Sequence, residues 1–421
     1  MGNTAKNKII ERPQIEKREV LKIVDGENFT VTKARLKALD DYNDIELPQK
    51  ADHLWRYSKP GNFFPSSYRD RIYDALKINI EEGIKTEIEF DCSGTINFVR
   101  SPQFANAKVE VEDLIISSNV PIGIAVPSSH GMFEALNMAM WTRGIYIKIP
   151  KGVQLAEPLF LKIKTDENNP FVRIFIDVED SASLSLIETL ETKNRGRAVI
   201  VSEAVAGNGA SFNHVQIYNG EKGDTHHYTH RTIAKRDTRY NMVTAVTGEG
   251  NLKSDLGTEL AGEGANGTIR SFTILDGDSA TDLHTVHHHT APHSTSDIQF
   301  RSVLLDKARS ANTGLIKVEE NAVGCEAYQV ARNLVLSQDA KVETIPELEI
   351  LTNDVVCSHG AATGTVDKKE LFYLMSRGLN ENNAISLIVE GRLIETLSLL
   401  PEKIAGDILE LFQPVFKRVF F

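Results

Sequence analysis

The sequence predicts a mainly β protein whose core is a β-solenoid flanked by N- and C-terminal helical regions. Short segments of alternating apolar and polar residues follow one another from about residue 86 to 350, which is the period-two pattern of half-buried strands. No strong helical stretch interrupts this range, so βαβ crossovers do not join the strands. A short motif also recurs there at nearly fixed spacing, as expected for stacked turns of chain.

The N-terminal region, residues 1–85, is predicted to be mostly helical. Residues 32–39 suit a short helix with Thr32 as its N-cap, and residues 67–76 suit another that begins at Ser67. Three prolines break the helical pattern between these two segments: Pro48, Pro60 and Pro65.

The predicted core, residues 86–365, contains the recurring motif, a small or polar pair followed by an alanine. The central positions of the motif are Ala182, Ala210, Ala265, Ala280, Ala308, Ala322 and Ala340, with Thr238 as a degenerate copy. Successive positions lie 28, 28, 27, 15, 28, 14 and 18 residues apart. Small residues are needed where a backbone turns tightly and stacks on its neighbour. The spacing favours a solenoid, and an antiparallel sandwich with strands of similar length is the alternative.

The C-terminal region, residues 366–421, is predicted to be a small helical domain that caps the solenoid. Asp367 opens a capping box at the start of one helix, and Asn380 can begin the next. Residues 407–421 suit a third helix, which Pro414 interrupts.

Composition excludes several classes of function. The chain of 421 residues has a net charge of -11, and nucleic-acid binding would need clustered basic residues instead. No apolar run approaches the roughly 18 residues of a membrane span, and the N-terminus lacks the features of a signal or transit peptide. Cys92, Cys325 and Cys357 are odd in number and far apart, which favours free thiols in a reducing cytoplasm.

Two glycine-rich segments imitate nucleotide-binding motifs. Residues 262–267 match GxGxxG, but residues 268–275 have a strand pattern where a dinucleotide site needs the start of a helix. Residues 248–254 resemble a phosphate-binding P-loop, but Leu252 stands where the glycine before the lysine should be. Neither segment predicts nucleotide binding, so a partner would have to hydrolyse any ATP that the function requires.

A dense histidine stretch is a candidate metal site. Its members are His284, His287, His288, His289 and His293. On a strand His287 and His289 share one face, and His293 could join them after a turn, so that the three would bind a transition metal. The alternative is a structural role, as an exposed polar face or as imidazoles hydrogen-bonded to their neighbours.

Cys357 and His359 form a second candidate, because they share one face if residues 354–359 are a strand. Two ligands make half a site at most, since zinc and iron–sulfur centres usually take four protein ligands. The rest would come from a second chain or from distant residues. The alternative is a buried structural thiol beside a capping histidine.

An ordered series of segments near the C-terminus resembles the SufB/SufD family of iron–sulfur cluster assembly proteins. The segments are Asn-Leu-Val-Leu-Ser at 333–337, Thr-Ile-Pro-Glu-Leu-Glu-Ile at 344–350, Asp-Val-Val-Cys-Ser-His-Gly-Ala at 354–361 and Leu-Phe-Tyr-Leu-Met-Ser-Arg-Gly at 371–378. Residues 289–296 and the Trp-Arg-Tyr-Ser stretch at 55–58 also resemble family segments. The fold that this resemblance implies is a right-handed parallel β-helix between N- and C-terminal helical regions.

Within the family the chain most resembles the SufD type. SufB-type members carry a cysteine upstream of the proline that matches Pro346, but no cysteine lies between Tyr328 and Pro346 here. They also carry a glutamate directly after the histidine that matches His359, and here that residue is Gly360. The resemblance therefore implies a non-enzymatic scaffold subunit of the Suf complex, located in the cytoplasm.

The resemblance also implies partners and cargo. A SufB-like subunit would pair through the β-helix, and a SufC-like ABC ATPase would dock on the C-terminal helices, where the candidates are Leu371, Phe372, Tyr373 and Arg377. His359, with Cys357 as a secondary candidate, would contribute to iron acquisition or to a transient nascent cluster shared with the partner chain. A reduced flavin is a further implied cofactor, and this chain alone would hold none of these tightly.

Three alternatives stay open at the level of sequence. The chain could be a SufB-like or single-member scaffold that forms a homodimer. It could be a homodimer that binds a metal through its own histidine stretch. It could also be a β-helix enzyme that acts on polysaccharide, because a fold alone does not determine function.

Overall fold

A computed structural model describes residues 12–23, 27, 29–65, 76–117, 120–192 and 196–421. It confirms the predicted fold class, a β-solenoid of about eight turns with N- and C-terminal helices. Within the described residues, twenty strands form two sheets, one with eleven strands and one with nine. From the strand Arg143–Ile149 onward, every strand pairs in parallel with the strand two positions along the chain, which excludes the antiparallel sandwich.

The strands of the eleven-stranded sheet, called sheet A, run in the spatial order β1-β3-β2-β6-β8-β10-β12-β14-β16-β18-β20. Their bounds are β1 Lys77–Glu82, β2 Thr86–Asp91, β3 Thr95–Arg100, β6 Leu159–Thr165, β8 Ser183–Thr192, β10 Ser211–Gly220, β12 Arg239–Gly248, β14 Asn266–Leu275, β16 Thr295–Leu304, β18 Cys325–Val335 and β20 Val355–Gly364.

The strands of the nine-stranded sheet, called sheet B, run in the order β19-β17-β15-β13-β11-β9-β7-β5-β4. Their bounds are β4 Glu110–Asp113, β5 Arg143–Ile149, β7 Phe171–Val178, β9 Arg197–Ala206, β11 Thr225–Ala234, β13 Asn251–Leu260, β15 Ala280–His289, β17 Arg309–Val318 and β19 Lys341–Ile350. From β5 onward the chain alternates between the two sheets, and each pair of strands makes one turn of the solenoid.

The repeat in the sequence marks corners of this solenoid. Ala182, Ala210 and Ala265 are buried and directly precede strands of sheet A. The tight packing at these corners explains why the motif needs small residues. The assignment at Ala280 was one residue late, because Ala280 is the first residue of β15 and pairs with Arg309. Buried Ser279 takes the corner position there instead.

Two helices interrupt the strands, contrary to the prediction. Helix α3 spans Pro102–Asn106, and helix α4 spans Met132–Met140. All residues of α4 are buried, so its sequence shows no polar face from which a helical period could be recognised. Helix α4 lies against β7 and β9 on the outer face of sheet B.

The N-terminal helices cover the same face. Helix α1 spans Lys17–Ile23, and helix α2 spans Phe29–Asp44 and packs on α4. The helix predicted around residues 32–39 is therefore present, but Thr32 lies within its first turn and does not cap it. The helix predicted at residues 67–76 lies outside the described part of the chain except for its last residue, Leu76.

Three C-terminal helices follow β20: α5 Lys368–Ser376, α6 Glu381–Leu397 and α7 Glu402–Phe420. The predicted caps are observed, since the side chains of Asp367 and Asn380 accept hydrogen bonds from backbone N–H groups of the helices they precede. Helix α7 begins five residues earlier than predicted and runs past Pro414. Both α6 and α7 pack on the outer face of sheet A. Among the described residues, no helix is long and apolar enough to cross a membrane.

Candidate functional site

The open end of the solenoid is formed by β19 and β20, which are the last strands of their sheets. Among the described residues no further turn covers their inward-facing side chains, so residues that would be buried in the middle of the solenoid are accessible here. Cys357 and His359 both lie on β20, as predicted, and their side chains share the inward face. They pair in register with Ala327 and Gln329 of β18.

The two side chains have different environments. Cys357 is half-buried against the end of the solenoid core, and this burial, together with nearby Cys325, raises the pKa of its thiol. The raised pKa favours the protonated thiol. Because the thiolate is the form that binds metals, the thiol must lose its proton before Cys357 can bind one. His359 is exposed to solvent. The imidazole is therefore the more accessible ligand of the pair.

The neighbour of His359 in the ladder, Gln329, is unusual. Its side chain is buried, yet both its amide nitrogen and its amide oxygen lack hydrogen-bond partners. Buried polar atoms of this kind normally bond to water, to a ligand or to protein. A hydrogen-bond donor and an acceptor of Gln329 are therefore unsatisfied beside His359 at the end of the solenoid.

Within the described residues, no three His, Cys, Asp or Glu side chains come close enough to hold a metal. The pair Cys357 and His359 is therefore not completed by this part of the chain. A thiolate and an imidazole are both suitable iron ligands, but two ligands would have to be supplied from elsewhere.

The histidine stretch lies in β15 and the corner after it. His287 and His289 share one face of β15, as predicted, and both are buried. Desolvation lowers the pKa of His287 to about 3 and that of His289 to about 4. His289 bonds Ser294 and Ser296, each at 2.8 Å. His293 instead lies exposed at the corner with φ of 55°. The hydrogen bonds of His289 to two serines agree with the structural role that was the alternative to metal binding.

A buried ionic network on the outer face of sheet B was missed by the sequence reasoning. Asp255 of β13 accepts from Arg231 at 2.7 and 2.8 Å, lies 2.6 Å from Nδ1 of His284 and 2.8 Å from Nε2 of His130. Burial alone would raise the pKa of Asp255, but Arg231 and the two histidines outweigh it and hold the pKa well below its usual range. Its members come from segments far apart in sequence, so no local sequence motif predicts the network.

The predicted docking residues lie on α5. Phe372 is 74% exposed and Tyr373 is 56% exposed. The guanidinium of Arg377 lies over the Tyr373 ring at 5.2 Å, while Leu371 is half-buried. A groove of about 460 Å³ lies beside them between α5 and α6. Helix α5 thus exposes an apolar and aromatic surface, and both acidic and basic side chains lie around it, among them Glu370 and Arg377.

The fold defines a β-solenoid protein, and one end of the solenoid carries Cys357 and His359, the two candidate metal ligands. The family model described as "SUF system FeS cluster assembly, SufBD core domain" matches residues 161–392. The chain is 30% identical to the iron–sulfur cluster assembly protein SufD of Bacillus subtilis, over 87% of this chain and 89% of that protein.

Two further relatives match to similar extents. The SufB protein of the same organism is 25% identical over 90% of this chain and 88% of its own length. A SufBD family protein of Staphylococcus saprophyticus is 25% identical with the same coverage. The chain belongs to the SufBD family of iron–sulfur cluster assembly proteins.

Proposed function

We propose that this chain is a SufD-type scaffold subunit of a cytoplasmic Suf complex, without catalytic activity of its own. The observation that carries the proposal is the family match over a solenoid whose open end exposes Cys357 and His359. Iron or a nascent cluster is the cargo of such a site, and a second chain supplies the remaining ligands.

Two features support the SufD type over the SufB type. The segment from Tyr328 to Pro346 contains no cysteine, and Gly360 follows His359 where SufB-type members have a glutamate. A side chain at Gly360 would meet no atom within 4 Å, so a carboxylate there is not excluded by lack of space. The higher identity to SufD than to SufB of B. subtilis points in the same direction.

The SufB-like partner is proposed to pair through the open end of the solenoid. In the part of the chain that the structure describes, β19 and β20 each have one edge without a paired strand, and exposed parallel edges are ready templates for another strand. Apolar side chains are exposed on both strands, with Leu348 at 38% and Val356 at 55%. Terminal repeats of a solenoid normally have a polar cap, and this end lacks one.

Cys357 and His359 would then lie inside the interface between the two chains. Burial of the interface would remove competing water from His359, and the partner would complete the coordination of iron. His359 is the principal ligand in this proposal because it is exposed, whereas the half-buried thiol of Cys357 is secondary.

The ATPase is proposed to dock on α5, on the surface formed by Phe372, Tyr373 and Arg377, with Leu371 beneath it. Its test is a binding measurement between the assembled scaffold pair and the ABC ATPase subunit. Phe372→Asp should weaken binding at least about tenfold, because an exposed aromatic anchor is replaced by a charge. Leu411→Asp is the matched control, since Leu411 is 52% exposed but lies on α7.

The outcomes of this measurement separate clearly. Equal losses for both variants would point to general disturbance of the helical domain, and unchanged binding of Phe372→Asp would refute docking on α5. The scaffold chain alone should hydrolyse no ATP, and any such activity that follows the purified chain through a second column would refute its non-catalytic assignment.

A further inference from the structure

A cleft of about 510 Å³ lies between the N-terminal segment and the N-terminal ends of strands in sheet B, and its lining includes neither Cys357 nor His359. One wall is formed by Tyr57, Lys59 and Phe63, and the other by the first residues of strands, among them Arg309 and Lys341. Its volume lies within the range of small-molecule sites, which is roughly 300–1,000 Å³. We propose that this cleft binds a nucleotide, with its phosphates on the basic side chains and its base on the aromatic wall.

The first argument is charge. Lys59, Arg309 and Lys341 are exposed and line the cleft, yet none of them forms an ion pair with a carboxylate of the described residues. One acid, Glu343, also lines the cleft without forming an ion pair. The chain as a whole has 58 acidic and 47 basic residues. Because acidic residues are in excess, the composition does not explain why three basic side chains without ion pairs surround one cleft.

The second argument is the register of the solenoid. Arg309 and Lys341 are directly paired in the parallel ladder between β17 and β19. Neighbouring strands lie about 4.8 Å apart, so the two cations stand side by side and repel each other. A phosphate that accepts hydrogen bonds from both would relieve this repulsion, and arginine and lysine are the side chains best suited to phosphate.

The third argument is the aromatic wall, which comes from the Trp-Arg-Tyr-Ser stretch at 55–58. Trp55 anchors this stretch, because its ring stacks on Phe133 at 5.2 Å and on His227 at 5.7 Å. Two residues later the Tyr57 side chain is 41% exposed in the cleft. The guanidinium of Arg56 lies 5.8 Å from the Tyr57 ring. A planar base could stack on such a ring.

The cleft favours a single nucleotide over a nucleic-acid strand. A strand would need a basic stripe along the molecule, whereas the three cations converge on one cleft in a chain of net charge -11. The P-loop-like segment at 248–254 contributes Asn251 and Leu252 to the lining of the cleft, whereas the GxGxxG match at 262–267 contributes no residue to it.

The test is titration calorimetry of the full chain with ADP, adenosine and pyrophosphate. ADP should bind at least about tenfold more tightly than either of the other two, because only ADP offers both a base and phosphates. The double variant Arg309→Gln/Lys341→Gln should weaken ADP binding at least about tenfold. Tyr57→Ala should weaken binding of ADP but leave that of pyrophosphate unchanged.

The control is Lys307→Gln, which removes an exposed positive charge two residues from Arg309 but outside the cleft. It should bind ADP like the unmodified chain, and thermal unfolding midpoints should show that every variant is folded. Absence of ADP binding at millimolar concentration, equal affinity for ADP and pyrophosphate, or an unchanged affinity of the double variant would each overturn the proposal. Because the titration uses no partner chain, its failure would leave the proposed scaffold function untouched.

Discussion

At the scale of single residues, position in the solenoid decides what a histidine can do. His287 and His359 both face inward from parallel strands. His287 is enclosed by further turns, so burial keeps it neutral with a pKa of about 3. His359 lies on the last strand and is exposed, so its nitrogens are free to meet a metal or a partner.

His359→Ala should lower the iron and cluster content of the assembled scaffold pair to about a tenth or less, because an accessible ligand is lost. The free energy of unfolding should change by no more than about 0.5 kcal/mol, as is usual for exposed positions. Iron and sulfide analysis under anaerobic conditions measures the first effect. Ser358→Ala is the matched control on the opposite face of β20, and a normal iron content in His359→Ala would exclude the ligand role.

His287 and His289 should make stability depend on pH. The folded chain keeps both neutral down to about pH 4, whereas the unfolded chain protonates them below about pH 6.5. As pH falls through this window, the unfolded state binds more protons and the free energy of unfolding decreases. The slope is up to about 1.4 kcal/mol per pH unit for each histidine.

His287→Gln should therefore reduce the loss of stability between pH 6.5 and pH 4. Urea denaturation at several pH values measures this slope. His293→Gln is the control, because His293 is exposed and its replacement should leave the slope unchanged. A slope for His287→Gln that equals that of the unmodified chain would contradict burial of a neutral imidazole.

At the scale of elements, the corners fix the register of the turns. Gly262, the first glycine of the GxGxxG match, lies at the corner between β13 and β14. A Cβ there would lie 1.9 Å from the nitrogen of Arg236 and 2.3 Å from the carbonyl carbon of Lys235. The glycine is thus explained by close approach of two backbone segments, and no phosphate is needed to account for it.

Gly262→Ala should lower the free energy of unfolding by roughly 1–3 kcal/mol, because backbone atoms must move to admit the methyl group. Gly406→Ala is the contrasting variant, since Gly406 lies in α7 with open space around it. That change should raise stability by roughly 0.5–1 kcal/mol through helix propensity. Chemical denaturation compares the two, and a neutral effect of Gly262→Ala would argue against the close stacking of these corners.

At the scale of the whole molecule, helices cover the outer faces of both sheets while one end of the solenoid stays open. The N-terminal helices and α4 cover sheet B, and α6 and α7 cover sheet A. Packing on both faces explains why many strands of the core are buried almost throughout. The uncovered edges of β19 and β20 are then the natural place for association with another solenoid.

Val356→Lys should weaken binding of the SufB-like partner at least about tenfold, since a lysine on an edge strand opposes pairing with another strand. Val356 is 55% exposed on β20. Ile84→Lys is the matched control, because Ile84 is 93% exposed between β1 and β2, near the opposite end of sheet A. Analytical ultracentrifugation of the pair measures both, and equal affinity of the two variants would place the interface elsewhere.

The sequence by itself determined the solenoid, because alternation of apolar residues and corner alanines such as Ala182 and Ala210 are local consequences of stacked turns. It also placed Cys357 and His359 on one face of a strand and located the caps at Asp367 and Asn380. It failed at α4, since a fully buried helix has no polar face to reveal its period.

Only the tertiary structure decided which side chains meet. The partners of Asp255 come from α4's preceding turn, β11 and β15, and the basic cleft joins Lys59 to strands some 250 residues later. Such contacts depend on how the N-terminal segment folds back over sheet B, which no local pattern encodes. Likewise, the tertiary structure decided that His287 is buried and His359 is exposed, because exposure depends on how many turns of the solenoid lie beyond a residue.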